Sequence, residues 1–568
     1  MKKNILLPMI LIITLFFCAI IVNNTNPKSV LILENITQET IFQEIKKEKL
    51  DELYQENKLF TPNASYHYVL NISIENERVS IAGIERVTFP LTYPALYSIL
   101  FEDFKHVDKI IVYNASATYK AFKDKESRLI LLSITPKTEN VTVEIHFNVS
   151  YNPFHEKPKS YLDYHLSQNS LHIYIPKRYF TISNNLKANE ERIKVDINYP
   201  KDYTLVILDQ SSETEFWRFR PLLYNGSFEK ENLNDFYLIF GKWNLYEDTM
   251  TIGNKTIRII ALTDEGEWVL WKIKDILRFY SEVFMPYPND EYFYIQIKHS
   301  KSEYRGHGLD GGILATQFYT PLIAHETAHN WFGVYANIYP IHEGIATYAD
   351  LLYRSNLYRN NLAEYDNIER KCLSSIERTP IAEINENNGE NMITLYYKSA
   401  FVFRSLQFVL GDETFFRGMR NLLEYCHLNN CVQDTMTTLK QIQRIFEEVS
   451  NQSLEWFFDE WFYKTGYPYF EVSNAILEKK DGTYLLTLQI VETNGFKMPL
   501  EVKIVDSQGK SYLKRVFIDK NATLTVELEN EPKKIIIDPN DWMINGGGSG
   551  TWKGKSRYEI NGIIIETN

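Results

Sequence analysis

The sequence predicts a multidomain α+β protein: a β-rich N-terminal domain, a mainly helical middle and a small β domain near the C-terminus. Three observations carry this. From Tyr66 to about Trp243 apolar and polar residues alternate, as in YHYVLNISI and VSIAGIERVTF, which is the period of half-buried strands. From Leu322 to about Phe462 apolar residues recur at helical spacing. Between Phe470 and Ile537 alternation returns, in TYLLTLQIVE, PLEVKIV and KKIIIDP. A chain of 568 residues exceeds one ordinary core, so several domains are expected. An apolar share of 44% with 24% charged residues excludes a disordered or fibrous chain.

At the N-terminus Lys2 and Lys3 precede an apolar run from Ile5 to Val22, interrupted only by Pro8 and Thr14. Residues 1–22 therefore read as a signal peptide or a retained single-pass anchor. No small-x-small cleavage site follows, which favours the anchor, and Phe17 before Cys18 does not suit lipoprotein processing. The paired lysines place the N-terminus in the cytoplasm and the body outside. Residues 23–60 read as a stalk with a charged helical stretch, IFQEIKKEKLDELYQEN. The β domain spans 61–245. The helical domain, 246–467, opens with WVLWKIKDILRFYSEVF, turns at MPYPND and continues into the strand YFYIQI. The second β domain spans 468–540, and 541–568 read as a hinge and tail around GGGSG.

Asn-x-Ser/Thr triplets from Asn23 to Asn521 agree with an external, glycosylated body, although an Asn-rich chain makes many by chance. Cysteine is scarce. Outside the apolar run there are only Cys372, Cys426 and Cys431, too few for a structural zinc site. The last two fit a closed loop in an oxidising compartment and fit free thiols equally. A net charge of -12 argues against a nucleic-acid partner. Nothing in the sequence fixes an oligomeric state.

The sharpest chemical signal is His325-Glu326-Thr327-Ala328-His329. Residues four apart share a helix face, so both imidazoles reach one ion, and Glu326 stands beside it to take a proton from water. With 12 His in the chain such a match also arises by chance. A third ligand is needed, and Glu343 opens a second helical pattern in IHEGIATYADLL, 14 positions after His329. An antiparallel helix pair brings it to the same ion. Without that pairing it is an acidic residue at a helix start. Asp350, seven residues on, shares the face of Glu343 and reads either as a partner of a ligand histidine or as solvated.

HETAHNWFG followed by HEGIATYADL resembles the aminopeptidase-N-like gluzincins, whose pattern is HExxH-x-W-F-G and then N-E-G-F-A-x-Y. NDFYLIFGKW (234–243), FYSEVFMPYPNDEYFYIQI (279–297), LYYKSAFVFRSL (395–406), LGDETFFRGMRNLL (410–423) and LEWFFDEWFYKTGYPYF (454–470) resemble further landmarks in the family's order. The resemblance covers about residues 60–540. It implies an N-terminal β-sandwich or saddle domain, a thermolysin-like catalytic domain and a small C-terminal β-sandwich. It also implies one zinc ion per chain on His325, His329 and Glu343, a peptide substrate, Glu326 as the catalytic carboxylate and Tyr396 as donor to the developing oxyanion.

The chain departs from the pattern in several places. Thirteen residues separate His329 from Glu343, fewer than in the family. GHGLDGGIL (306–314) replaces the segment whose Glu grips the substrate's α-amine, leaving Asp310 as the nearest counterpart; such an Asp also suits a tight turn. Ser399 stands where the family has Gly after Y-x-K. The large helical C-terminal domain of longer members is not found. The expected function is zinc-dependent removal of N-terminal residues from peptides, by a membrane-attached protein acting outside the cytoplasm. A peptidase of the same fold with endo- or otherwise altered specificity is the alternative, and a surface binding protein that kept the fold is a third reading. Intact His325, Glu326, His329, Glu343 and Tyr396 count against the last.

Overall fold

The computed structural model describes residues 30–567 apart from internal stretches, the longest being 57–63, 152–169, 176–191, 211–218, 297–305, 385–391 and 547–555. The apolar run Ile5–Val22, expected as an anchor, lies outside the described residues. Among those described, no helix is long and apolar enough to cross a membrane. The protein is a multidomain α+β chain that divides into two compact units, one mainly of residues up to Lys242 and one mainly from Trp243 onward.

The first unit is β throughout its described core. A seven-stranded sheet runs Val30–Glu34, Lys105–Tyr113, Asn140–Tyr151, Arg78–Pro90, Ser65–Glu75, Arg192–Asn198, Ser227–Glu231. It shares an apolar core with a four-stranded sheet that includes Ala95–Glu102 and Ser127–Pro136. The alternation dictates this packing: Val87 and Phe89 are buried, while Arg86 and Thr88 between and beside them reach the other face. The segment 23–60 corrects an expectation. It is not only a stalk: Val30–Glu34 pairs antiparallel with Lys105–Tyr113, and helix Lys47–Glu56 buries Leu50 against Leu129 and Leu131. Leu50 and Leu53 are three apart and share one face, which the surrounding charge had concealed.

The second unit begins with a five-stranded sheet: β1 (Asn244–Ile252), β2 (Lys255–Thr263), β3 (Glu291–Gln296), β4 (Gly306–Leu309) and β5 (Gly312–Ala315), in the order β1-β2-β3-β5-β4. β2, β3 and β5 are parallel, and β4 returns antiparallel at the edge of the sheet. Helix α1 (Trp268–Val283) makes the crossover from β2 to β3, burying Val269, Leu270, Ile273, Ile276, Leu277 and Tyr280, an i, i+3, i+4, i+7 stripe. The helices that follow are α2 (Thr320–Ala328), α3 (His342–Leu357), α4 (Ala363–Ser374), α5 (Ser399–Leu410), α6 (Asp412–Asn429), α7 (Thr435–Ser450) and α8 (Glu455–Trp461). Cys426, near the end of α6, is disulfide-bonded to Cys431, and Cys372 is a buried thiol.

An eight-stranded sheet completes the unit: β6 (Phe470–Lys480), β7 (Thr483–Glu492), β8 (Lys497–Asp506), β9 (Ser511–Asp519), β10 (Asn521–Leu528), β11 (Pro532–Ile537), β12 (Arg557–Ile560) and β13 (Ile563–Thr567), ordered β6-β7-β10-β9-β8-β11-β13-β12. Residues 541–568, expected as hinge and tail, thus supply two of its strands. The Gly-rich stretch is followed by alternating apolar residues, RYEI and IIIET, that pair like any strand. Before that stretch the loop 538–546 is anchored to the helices. Arg404 on α5 donates to the carbonyls of Asp541 and Asn540 at 2.7 Å each and lies over the Tyr365 ring at 3.6 Å.

Asp538 in that loop is fully buried and accepts from the Trp542 and Met543 amides at 3.0 and 3.1 Å. Burial, aided by Asp541, pushes its carboxyl up to about 7, above the value near 3.9 of an unfolded chain. The folded state therefore binds the proton more tightly. Asp538 favours folding most below pH about 4, and that stability is lost as pH rises through about 7. Asp538→Asn is expected to flatten this decline, by an amount on the order of a few kcal/mol. Thermal unfolding at pH 5 and pH 8 checks it: the drop between the two should be smaller in the variant than in the parent, and an equal drop refutes it.

Candidate metal centre

Helix α2 starts after Tyr319 with Pro321 in its first turn, where the missing amide costs nothing. It is held by Tyr280, whose hydroxyl donates to the Ala324 carbonyl at 3.0 Å, and by a 2.6 Å bond between the Tyr292 and Thr327 hydroxyls. His325 and His329 project one turn apart. Helix α3, packed on α2, opens with His342 and Glu343. Glu343 Oε2 lies 3.1 Å from His325 Nε2 and 3.4 Å from His329 Nε2, and the two imidazole nitrogens are 3.3 Å apart. His329 Nδ1 donates to the Phe332 carbonyl at 3.0 Å, which leaves its Nε2 lone pair directed at the cluster. Thr347 Oγ1 donates to the Glu343 carbonyl at 2.8 Å and lies 3.5 Å from His325 Nδ1.

Two imidazole lone pairs and a carboxylate oxygen that converge this closely repel unless a cation or proton sits among them. All three ligand atoms lie within 4.8 Å of one another, and the N/N/O set suits zinc with one position left for water. The electrostatics agree. Burial alone would raise the Glu343 carboxyl. The positive His329 and hydrogen bonds from His325, His329 and His342 instead hold it well below the usual carboxylate range. Burial works against a charged His329, yet the Glu343 carboxylate pushes that imidazole up to about 9.

Glu326 is buried beside the cluster, and burial pushes its carboxyl upward against the pull of His325 and His329. The edge strand β4 runs against it. A β-carbon at Gly306 would come within 2.7 Å of Glu326 Cγ and Oε1, and one at Gly308 within 2.7 Å of His329 Cβ. Gly306 and Gly308 are therefore what allows β4 to lie flush on α2, a role the sequence reading missed. Its only signal was the repeated glycine.

The structure brings His325, Glu326, His329 and Glu343 together, with the Tyr396 ring stacked 5.9 Å from that of His325. Tyr396 sits in a π-helical turn, Ile393–Lys398, that runs straight into α5. Asp310 is elsewhere on the same hairpin: it occupies the tip between β4 and β5 and accepts from Asn289 Nδ2 at 3.0 Å. Asp350 is not solvated. It is buried, and both its oxygens take the Arg354 guanidinium, at 2.8 and 2.7 Å. Asn330 is a further residue the sequence reading missed. It follows the second histidine, is fully buried, and bonds both the amide and the carbonyl of Gly312 at 3.1 Å, tying the hairpin to α2. Tyr287 donates to Asn330 and Trp331 to the Met285 carbonyl, so the PYP turn braces the end of α2.

A helix-borne His pair, a carboxylate from the next helix and a second carboxylate that binds no metal define a mononuclear metallohydrolase centre of the HExxH kind. Residues 314–461 match the Peptidase family M1 domain. The chain is 24% identical over 234 residues to Aminopeptidase N of Haemophilus influenzae, covering 38% of this chain and 26% of that protein. It is 23% identical over 319 residues to Aminopeptidase N of Escherichia coli, covering 48% and 36%. The chain thus spans about a third or less of the length of these curated relatives. Among solved structures, an M1 zinc metallopeptidase from Deinococcus radiodurans is similar at 15% identity with a TM-score of 0.43, covering 71% of this chain and 94% of that one. Residues 314–461 thus carry the domain of a zinc metallopeptidase family, and these likenesses support an aminopeptidase-N-like gluzincin with zinc as its cofactor.

Proposed function

We propose that this protein removes N-terminal residues from peptides, with zinc on His325, His329 and Glu343, in a thermolysin-like domain spanning 246–467. The observation that carries the reading is the convergence of those three ligand atoms beside Glu326. Zinc there supplies a Lewis acid that acidifies water and polarises the scissile carbonyl. Glu326, buried and tuned upward, takes the proton of the attacking water and hands it to the leaving amine. The Tyr396 hydroxyl donates to the carbonyl oxygen as charge develops on it. Aminoacyl fluorogenic amides and their N-acetylated counterparts, assayed with and without a chelator, test the proposal. Hydrolysis of free-amine substrates alone, abolished by the chelator, supports it.

Asp310 is the only acidic side chain on the hairpin from Gly306 to Ala315 and is our candidate for the substrate's ammonium. Asp310→Ala is expected to raise KM for free-amine substrates about tenfold, the size of one exposed ion pair with its hydrogen bond, and to spare N-blocked ones. Equal effects on both would remove Asp310 from amine binding. Its bond to Asn289 at the hairpin tip favours, as the second reading, a peptidase of the same fold with endo- or otherwise altered specificity.

We also place the catalytic body outside the cytoplasm, attached through residues 1–22. Lys2 and Lys3 before the apolar run, the Asn-x-Ser/Thr triplets and the Cys426–Cys431 disulfide support this. Fractionation of expressing cells, with N-terminal sequencing of the mature chain, tests it.

A further inference from the structure

We propose that Ser399 is a positioning residue for Tyr396, acting through the carbonyl of Thr394; the proposal rests on the reading of Tyr396 as the oxyanion donor. The turn that carries Tyr396 is π-helical over Ile393–Lys398 and leads without a break into α5. Such turns are rare and occur mostly as single wide turns within α-helices. One residue more or less in a turn rotates the side chains before it by about 100° around the axis. Whether the Tyr396 ring faces His325 therefore depends on the wide turn being kept.

Ser399 holds that turn at its closing bond. Its backbone amide is shared between Thr394 O, five residues back, and Tyr396 O. Its hydroxyl, fully buried, donates to the same oxygen at 3.0 Å. A carbonyl has two lone pairs, so one residue fills both acceptor sites of Thr394. Reversion to an α-turn would hand that carbonyl to the amide of Lys398 and turn Ser399 about the axis, so its hydroxyl would have to leave Thr394 O for another acceptor.

The same residue touches the metal ligand's helix. Gly344, next to Glu343, faces Ser399 so closely that a β-carbon there would stand 2.3 Å from Ser399 Cβ and 2.9 Å from Leu395 O. The wide turn is thus pressed on the start of α3, and its position is set relative to Glu343 on one side and to the stacked His325 ring on the other. Where the family has Gly, this chain adds a hydroxyl.

Ser399→Ala keeps the β-carbon and removes only the hydroxyl. In the zinc-loaded protein it is expected to lower kcat about tenfold with KM changed less than twofold, while zinc content and the unfolding temperature hold. Calorimetry with a phosphinic dipeptide analogue, whose tetrahedral oxygen stands in for the oxyanion, should show binding weakened about tenfold by Ser399→Ala. In the Tyr396→Phe background the same change should have no further effect on either measurement, which is the signature of two residues acting as one unit. An unchanged kcat, a loss that persists in full without the Tyr396 hydroxyl, or a parallel fall in zinc content would each overturn the proposal. If Tyr396→Phe binds the analogue as tightly as the parent does, the roles of both Tyr396 and Ser399 fall, while a zinc peptidase acting through Glu326 stands. If no peptide is hydrolysed at all, the peptidase reading fails and the calorimetric cycle still decides the coupling.

Discussion

Glu326→Gln is expected to lower hydrolysis by about 10³-fold or more while zinc stays at one ion per chain. The substitution preserves size and the buried place of the side chain beneath Gly306, where even one added atom would collide. It removes the one property the reaction needs, a carboxylate that accepts a proton. Glu326 contributes no atom to the convergent set formed by His325, His329 and Glu343, so metal binding should be untouched. Metal analysis and a progress curve on the same preparation decide the matter. Activity surviving in a zinc-loaded variant would end the role assigned to Glu326.

His329→Ala is the complementary case, expected to lose both metal and activity. Three protein ligands are the minimum for a catalytic zinc site, and His329 is the most buried of the two histidines' pair with Glu343. With its imidazole gone, His325 and Glu343 remain 3.1 Å apart and satisfy one another by a hydrogen bond. Zinc affinity should fall by about 10³-fold or more, since even loss of an outer partner of a ligand costs 10–100-fold. Dialysis against a zinc buffer followed by metal analysis reads this directly. A variant that retains one zinc per chain would show that the ion sits elsewhere.

The features that could be read in the sequence are those set by local geometry. The i, i+4 spacing of His325 and His329 needs only a helix, and the pattern around Glu343 needs only a second helix and a turn. What could not be read was decided by distant neighbours. Gly306 and Gly308 are explained by the closeness of α2, about twenty residues on in the chain. Asn330 looks like an ordinary polar residue until Gly312 is seen to use its whole amide group. Asp350 has the spacing of a histidine partner, yet Arg354, one turn on, takes it. The widened turn at Tyr396 has no signature in composition, since ITLYYK is compatible with an α-turn. At the level of the fold, the charge around Leu50 hid a docked helix, and GGGSG hid the strands beyond it.

Those last strands bear on the order in which the protein can be made. β13 lies parallel to β11, from Lys534 with Ile564 to Ile537 with Thr567. Across the sheet the Tyr558 hydroxyl takes the Val472 amide at 2.8 Å and donates to its carbonyl at 3.2 Å. During synthesis the residues of the metal centre are all available well before 563–567 have been added. Until then Ile535–Ile537 present an apolar strand with one free side, the kind of edge that recruits wrong partners. The sheet of the C-terminal domain therefore closes its Pro532–Ile537 edge only after residues 563–567 have emerged, later than every residue of the metal centre.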